Sequence, residues 1–171
     1  MEPTLAGFQQ FLISVVGIST ALLASSSPII AYAYNIAIVT VNCDLQCTSF
    51  IDPFTGQTSS LYAIAVYNYA AANVLFFAQD AEGAPIVPGS VSTQNPNGLP
   101  FFANIRSKYN LNGYVSGTIS ASSDESTANS MVVPDAAQGF TMEDLQLAKS
   151  PYGRIYLGIA QKAGPSLFGL S

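Results

Sequence analysis

Residues 62–69 read Tyr62-Ala-Ile-Ala-Val-Tyr-Asn-Tyr69, and their pattern decides the fold that the sequence predicts for the larger part of the chain. Aromatic and β-branched residues alternate along this stretch, which is typical of a β-strand with two packed faces. A second strand is predicted over residues 73–79, where four consecutive apolar residues indicate burial on both faces. These two stretches therefore predict a β domain.

Turn signals and short apolar runs continue this pattern toward the C-terminus. Asp80-Ala-Glu-Gly83 predicts a turn, and residues 94–100 predict a loop. Residues 141–148 suit either one helical turn, for which Thr141 is a suitable N-cap, or a strand. The Ser-rich residues 120–130 predict an exposed loop. Further short strands are predicted over residues 84–87, 101–105, 113–120, 130–133 and 153–161. Short strands at this spacing favour an antiparallel sandwich of about seven strands.

The N-terminal segment differs from the rest because residues 3–43 contain no charge. Residues 5–24 are long enough for a helix of about 30 Å, which would cross the hydrocarbon core of a bilayer. An apolar helix of this kind is buried on all sides, either in lipid as a membrane anchor or against copies of itself. A cleaved signal peptide is not expected, because Glu2 precedes the segment and no Lys or Arg does.

A second apolar run follows Pro28, which is expected to kink or end the first helix. Residues 29–41 are frequent in Ala, which favours a helix, but they also contain Ile, Val and Tyr, which favour a strand. The same residues also alternate between Tyr or Ile and smaller side chains. This alternation leaves open a donor strand that completes the sheet of a neighbouring subunit.

The composition argues against nucleic-acid binding and against catalysis. Of 171 residues, 49% are hydrophobic and 9% are charged, the net charge is −5 and His is absent. No Lys or Arg precedes Arg106, so the clustered cations that phosphates require are missing. Without His there is no Ser/His pair, Cys/His pair or histidine metal site. We therefore expect a protein that is not an enzyme and needs no cofactor or metal.

Cys43 and Cys47 are the only cysteines and suit a short disulfide loop. Two free thiols or a metal site are the alternatives, although a metal site usually takes four ligands. The acidic pairs are better explained by turns and solvation than by carboxylate catalysis. These pairs are Asp80/Glu82, Asp124/Glu125 and Glu143/Asp144.

Three stretches together resemble the archaeal type IV pilins. They read Ile64-Ala-Val-Tyr-Asn-Tyr-Ala-Ala-Ala-Asn-Val-Leu75, Asp80-Ala-Glu-Gly-Ala-Pro85 and Ser150-Pro-Tyr-Gly-Arg-Ile-Tyr-Leu-Gly-Ile-Ala160. The resemblance implies an α+β fold, with a long hydrophobic N-terminal helix over residues 1–41 and an antiparallel immunoglobulin-like β-sandwich over residues 42–171. It also favours a helix over a donor strand after Pro28, and we expect this helix to continue to about Ile38. It also implies an extracellular pilus-like filament used for surface attachment.

In such a filament the chain's partner is itself, and the N-terminal helix inserts into a membrane before assembly. Apolar residues at helical spacing are then the expected subunit-interface core. They are Phe8, Phe11, Leu12, Val15, Val16, Leu22 and Leu23. A donor-strand filament and a membrane-anchored extracellular binding domain are the alternative functions.

Overall fold

Helices form most of the computed structural model, which describes residues 2–51, 58–90, 98–113, 121–124, 127–130 and 141–162. The α-helices are α1 (Leu5–Phe11), α2 (Pro28–Thr40), α3 (Leu61–Phe77), α4 (Phe101–Lys108), α5 (Met142–Leu147) and α6 (Pro151–Lys162). A π-helical turn (Leu12–Val16) follows α1, and a 3₁₀ turn (Cys43–Cys47) follows α2. Strands in the described ranges form two short antiparallel pairs, β1 (Ser49–Ile51) with β2 (Thr58–Ser60) and β3 (Ala121–Asp124) with β4 (Thr127–Ser130).

Helix α3 is the centre of the fold, and α2 and α6 pack along it. Eleven of its 17 residues are buried, among them Val66, Val74 and Leu75. The Ser60 hydroxyl begins the helix by accepting a hydrogen bond from the Ala63 amide at 3.2 Å. Five residues of the helix are alanines, and their small side chains allow neighbouring helices to approach closely.

The predicted immunoglobulin-like β-sandwich is wrong. Residues 62–69 and 73–79, predicted as strands, lie mainly in α3, and residues 101–105 and 153–161 lie in α4 and α6. The alternation was misleading because a segment that is apolar on all sides suits a buried helix as well as a buried strand. Alanine, the strongest helix former, is frequent in α3 and decides between the two.

The predicted long N-terminal helix is also wrong, because the chain turns sharply after α1. Gly17 adopts a left-handed conformation with φ of 80°, which ends the π-helical turn. Helix α2 then begins with Pro28 in its first turn, where the missing N–H costs no hydrogen bond. None of the helices in the described part of the chain combines the length and apolar content needed to cross a membrane.

Residues 28–40 are helical, which confirms the helix that we expected over residues 29–38. They form no strand that another subunit could use. Helix α2 packs against α3, and its residues Ile30, Ala33 and Ala37 are all buried.

Most of the predicted subunit-interface residues contribute to the chain's own core. Phe8 and Leu12 are fully buried, and Val15 is 56% exposed. The others, Phe11, Val16, Leu22 and Leu23, are partly buried against the core. One hydrophobic core thus runs across residue 41, and the proposed boundary between residues 1–41 and 42–171 does not separate two cores.

Aromatic contacts hold the N-terminal segment on α2 and α3. The ring of Phe8 stacks between Tyr34 and Tyr67, with centroid distances of 6.1 and 6.0 Å. The Tyr34 hydroxyl donates to the Pro3 carbonyl at 2.8 Å, and the Thr4 amide donates to the Tyr67 hydroxyl at 3.1 Å. These contacts explain why the apolar N-terminus packs within the chain.

Two turn predictions are confirmed. Gly83 has a φ of 75° in a turn that the Ala84 amide closes by donating to the Ala81 carbonyl at 3.0 Å, and Thr141 is the N-cap of α5. The loop predicted over residues 120–130 instead contains the β3–β4 pair. The strand predicted over 84–87 is reduced to a single bridge between Ile86 and Pro100. Residues 91–97, 114–120 and 131–140, which include parts of other predicted loops and strands, lie outside the described residues.

Candidate functional site

A groove between the C-terminal half of α3 and the short helix α5 is the best candidate site. It encloses about 410 Å³, which is within the usual size of ligand-binding clefts. Its lining residues are Asn73, Phe76, Phe77, Glu143, Gln146 and Leu147. We refer to these six residues as the α3–α5 groove. Its walls are mainly apolar, and its polar residues are two amides, Asn73 and Gln146, and one carboxylate, Glu143.

The central polar contact joins α3 to α5. The Tyr69 hydroxyl donates a hydrogen bond to Oε1 of Glu143 at 2.6 Å, and Tyr69 itself is only 3% exposed. A hydrogen bond to a charged acceptor is shorter and stronger than one between neutral groups. It fixes the Glu143 carboxylate at the groove while its second oxygen has no bonded partner among the residues that the structure describes.

The surroundings of Tyr69 keep its hydroxyl protonated. Burial is the largest cause and raises the pKa of Tyr69 to about 12, and the hydrogen bond and negative charge of Glu143 add to this rise. Thr40 and Asn73 lie close enough to oppose the shift slightly. Burial, followed by the charges of Asp144 and Glu143, also raises the pKa of Tyr156, whose ring packs 4.9 Å from that of Tyr69.

Asn73 lines this groove, and its side chain also lies close to the Tyr69 hydroxyl. Its Nδ2 atom is buried and makes no hydrogen bond within the part of the chain that the structure describes. Buried amide groups are almost always paired, because leaving one without a partner costs about 1–3 kcal/mol. Because this atom is buried, it is not exposed to a group bound in the groove.

A capping box places Glu143 at the groove. The Thr141 hydroxyl accepts from the Asp144 amide at 3.2 Å, and the Asp144 carboxylate accepts from the Thr141 amide at 2.9 Å. This reciprocal pair begins α5 and sets its first turn, in which Glu143 lies beside the capping Asp144. Glu143 and Asp144 therefore have different roles, one at the groove and one in the cap.

Asp80 has a structural role elsewhere. Its two carboxylate oxygens accept from the amides of Phe102 and Ala103, each at 2.8 Å, and so cap α4. Arg106 lies 4.0 Å from the same carboxylate and also donates to the Ala78 carbonyl. Glu82, the other member of this predicted pair, is exposed. The side chains of the pair Asp124/Glu125 lie outside the described residues.

Cys43 and Cys47 are both exposed free thiols in the structure. They stand at the two ends of the 3₁₀ turn, which Asn42 caps by accepting a hydrogen bond from the Asp44 amide at 2.9 Å. The disulfide is therefore not formed in this structure and remains a prediction. Within the described residues, no three His, Cys, Asp or Glu side chains are grouped so that they could hold a metal ion.

The groove was not predicted from the sequence. Tyr69 and Asn73 were assigned to strands, and Glu143 was assigned to solvation of a turn. The one usable signal was Thr141, because a correctly placed N-cap also places the acidic residues of the following turn. No known family model, no curated protein and no solved structure matches the chain.

Proposed function

We propose that this chain is a structural subunit that assembles with copies of itself through the α3–α5 groove. The observation that carries the proposal is the exposure of large apolar side chains at this groove. Phe77, which lines it, is 53% exposed, and Met142, which precedes Glu143, is 64% exposed. Exposed apolar surface around an ordered polar group is typical of interaction sites.

The chemistry of the groove supports recognition. Phe76, Phe77 and Leu147 offer apolar contact area, and the Glu143 carboxylate offers an acceptor. The low charge of the chain also supports self-association, since few like charges repel when two copies approach.

The pilus-like form of this proposal came from the resemblance to pilins. That resemblance implied a long helix joined to a β-sandwich, and the described residues form a helical fold instead. We therefore propose a self-assembling subunit without the pilin architecture. An extracellular location and insertion of the N-terminal segment into a membrane remain predictions from the sequence alone.

Measurement of the molar mass of the full chain over a wide concentration range tests the proposal. We expect a mass above that of one chain, rising with concentration because association follows mass action. Phe77→Ser should reduce it by removing apolar contact area, because Phe77 is more than half exposed and its replacement leaves the core intact.

Ile86→Ser is the matched control, because Ile86 is 50% exposed but lies outside the groove. It should leave the mass of the assembly unchanged. A wild-type chain that remains a monomer at every concentration contradicts the proposal.

A further inference from the structure

The five basic residues differ in whether the fold already uses them. Arg106 pairs with Asp80, the Nζ atom of Lys108 lies 5.6 Å from the centre of the Tyr109 ring, and Lys149 donates to the Gly113 carbonyl. The side chain of Lys162 lies outside the described residues. Arg154 remains.

Arg154 is presented to solvent by α6. Gly153 and Leu157 face the core, whereas Arg154 and Ile155 lie on the exposed side of the helix. The guanidinium of Arg154 makes no ion pair or hydrogen bond within the described ranges, and Ile155 is 47% exposed. These two residues form an edge with one free cation and one apolar side chain, which we refer to as the Arg154 edge.

The α3–α5 groove has the complementary chemistry. The Glu143 carboxylate is fixed by Tyr69 through one oxygen and leaves the other available. Arginine binds a carboxylate through its planar fork and also stacks on aromatic faces, so Phe76 and Phe77 suit its side chain. An isoleucine beside the arginine could contact the exposed ring of Phe77.

From this complementarity we propose that the α3–α5 groove binds the Arg154 edge of a second copy of the chain. The inference rests on the self-assembly proposed above and names the contact that produces it. The two surfaces differ, so a contact between them is head-to-tail. After two copies associate, one keeps an unused edge and the other an unused groove, so the assembly grows until it closes into a ring or continues as a filament.

Charge reversal tests this contact. Arg154→Glu places a glutamate against Glu143, and Glu143→Arg places an arginine against Arg154, so each variant alone should associate at least about tenfold more weakly than the wild type. Mixing the two variants pairs opposite charges at both kinds of contact. The mixture should therefore recover the high molar mass that neither variant reaches alone.

Two controls separate this result from misfolding and from a general effect of charge. Glu82→Arg changes the net charge as much as Glu143→Arg does, but Glu82 is exposed outside the groove and its replacement should not alter association. Glu143→Gln keeps an acceptor for Tyr69 and removes only the charge, so it should weaken association without loss of helical circular dichroism.

The outcomes distinguish this inference from the proposed function. A wild-type chain that never associates overturns both. If the wild type associates and the variants Arg154→Glu and Glu143→Gln associate equally strongly, only the Arg154–Glu143 contact is overturned. Self-assembly then uses another surface. Rescue in the mixture supports the contact, and failure of folded single variants to recover on mixing contradicts it.

Discussion

Two glycines of α6 should respond in opposite ways to the same substitution. A Cβ atom added at Gly153 would overlap the backbone carbonyl of Leu147 and lie 2.8 Å from Oγ of Ser150. Ser150 is fully buried, and its hydroxyl accepts from the Gly153 amide at 2.8 Å, so it cannot move without loss of that hydrogen bond. A Cβ atom at Gly158 would meet no atom within 4 Å.

The expected magnitudes follow from these contacts. Overpacking at Gly153 should cost about 1–3 kcal/mol, less the gain of up to about 1 kcal/mol that Ala brings to a helix. Gly158→Ala should gain about 0.5–1 kcal/mol, because it meets no clash. For a chain of this size, about 1 kcal/mol shifts the melting temperature by about 2–4 °C.

Thermal unfolding followed by far-ultraviolet circular dichroism measures both changes. We expect Gly153→Ala to melt below the wild type and Gly158→Ala to melt above it. Both variants replace one glycine of α6 with alanine, so helix propensity alone predicts the same change in melting temperature for both. Equal melting temperatures would refute the close approach of α6 to the end of α5.

Two further predictions concern polar groups. Tyr69→Phe should cost about 1–2 kcal/mol near neutral pH, because Glu143 loses its donor. Because the pKa of Tyr69 is raised to about 12, the stability that Tyr69 contributes is fully present below pH 10 and is lost as the pH rises through about 12. The difference in unfolding free energy between wild type and variant should therefore shrink between these pH values. Asp80→Ala should cost about 2 kcal/mol or more in a denaturant titration, because two amides of α4 and Arg106 lose their partner. Glu82→Ala, at an exposed acid two residues away, should change the stability by less than about 0.5 kcal/mol.

Local signals in the sequence predicted short-range structure correctly. Thr141 was identified as an N-cap and the residues around Gly83 as a turn. In each case the determining interaction is between residues close in sequence, such as the capping hydrogen bonds of Thr141 with Asp144. Such interactions do not depend on how the chain folds elsewhere.

The wrong predictions share a different cause. Helix α3 is apolar around its whole circumference, so neither the helical nor the strand period stands out, and only its environment on all sides distinguishes the two. The N-terminal segment was predicted to be buried outside its own chain because it is apolar. Phe8 and Leu12 are indeed buried, but against the chain's own core. The apolar composition of a segment predicts that it is buried, but it does not show which residues cover it.

The same limit applies to the groove. It depends on a contact between Tyr69 and Glu143, which are 74 residues apart, and no local pattern connects them. The wall of the groove also requires α3 to be a helix, because Asn73, Phe76 and Phe77 share one side only at helical spacing. An error in the type of this one element therefore concealed the site.

The distribution of charge connects the fold to the proposed assembly. Asp80 and Asp144 are used as helix caps, and Arg106 is paired with Asp80, so these charges stabilise the chain itself. Glu143 and Arg154 are different, since one carboxylate oxygen and the whole guanidinium have no partner in the described part of the molecule. With only 9% of residues charged, such a pair has few competitors on the surface. Salt weakens an ion pair between Glu143 and Arg154 more than it weakens an apolar contact. The assembly should therefore dissociate partly as ionic strength rises.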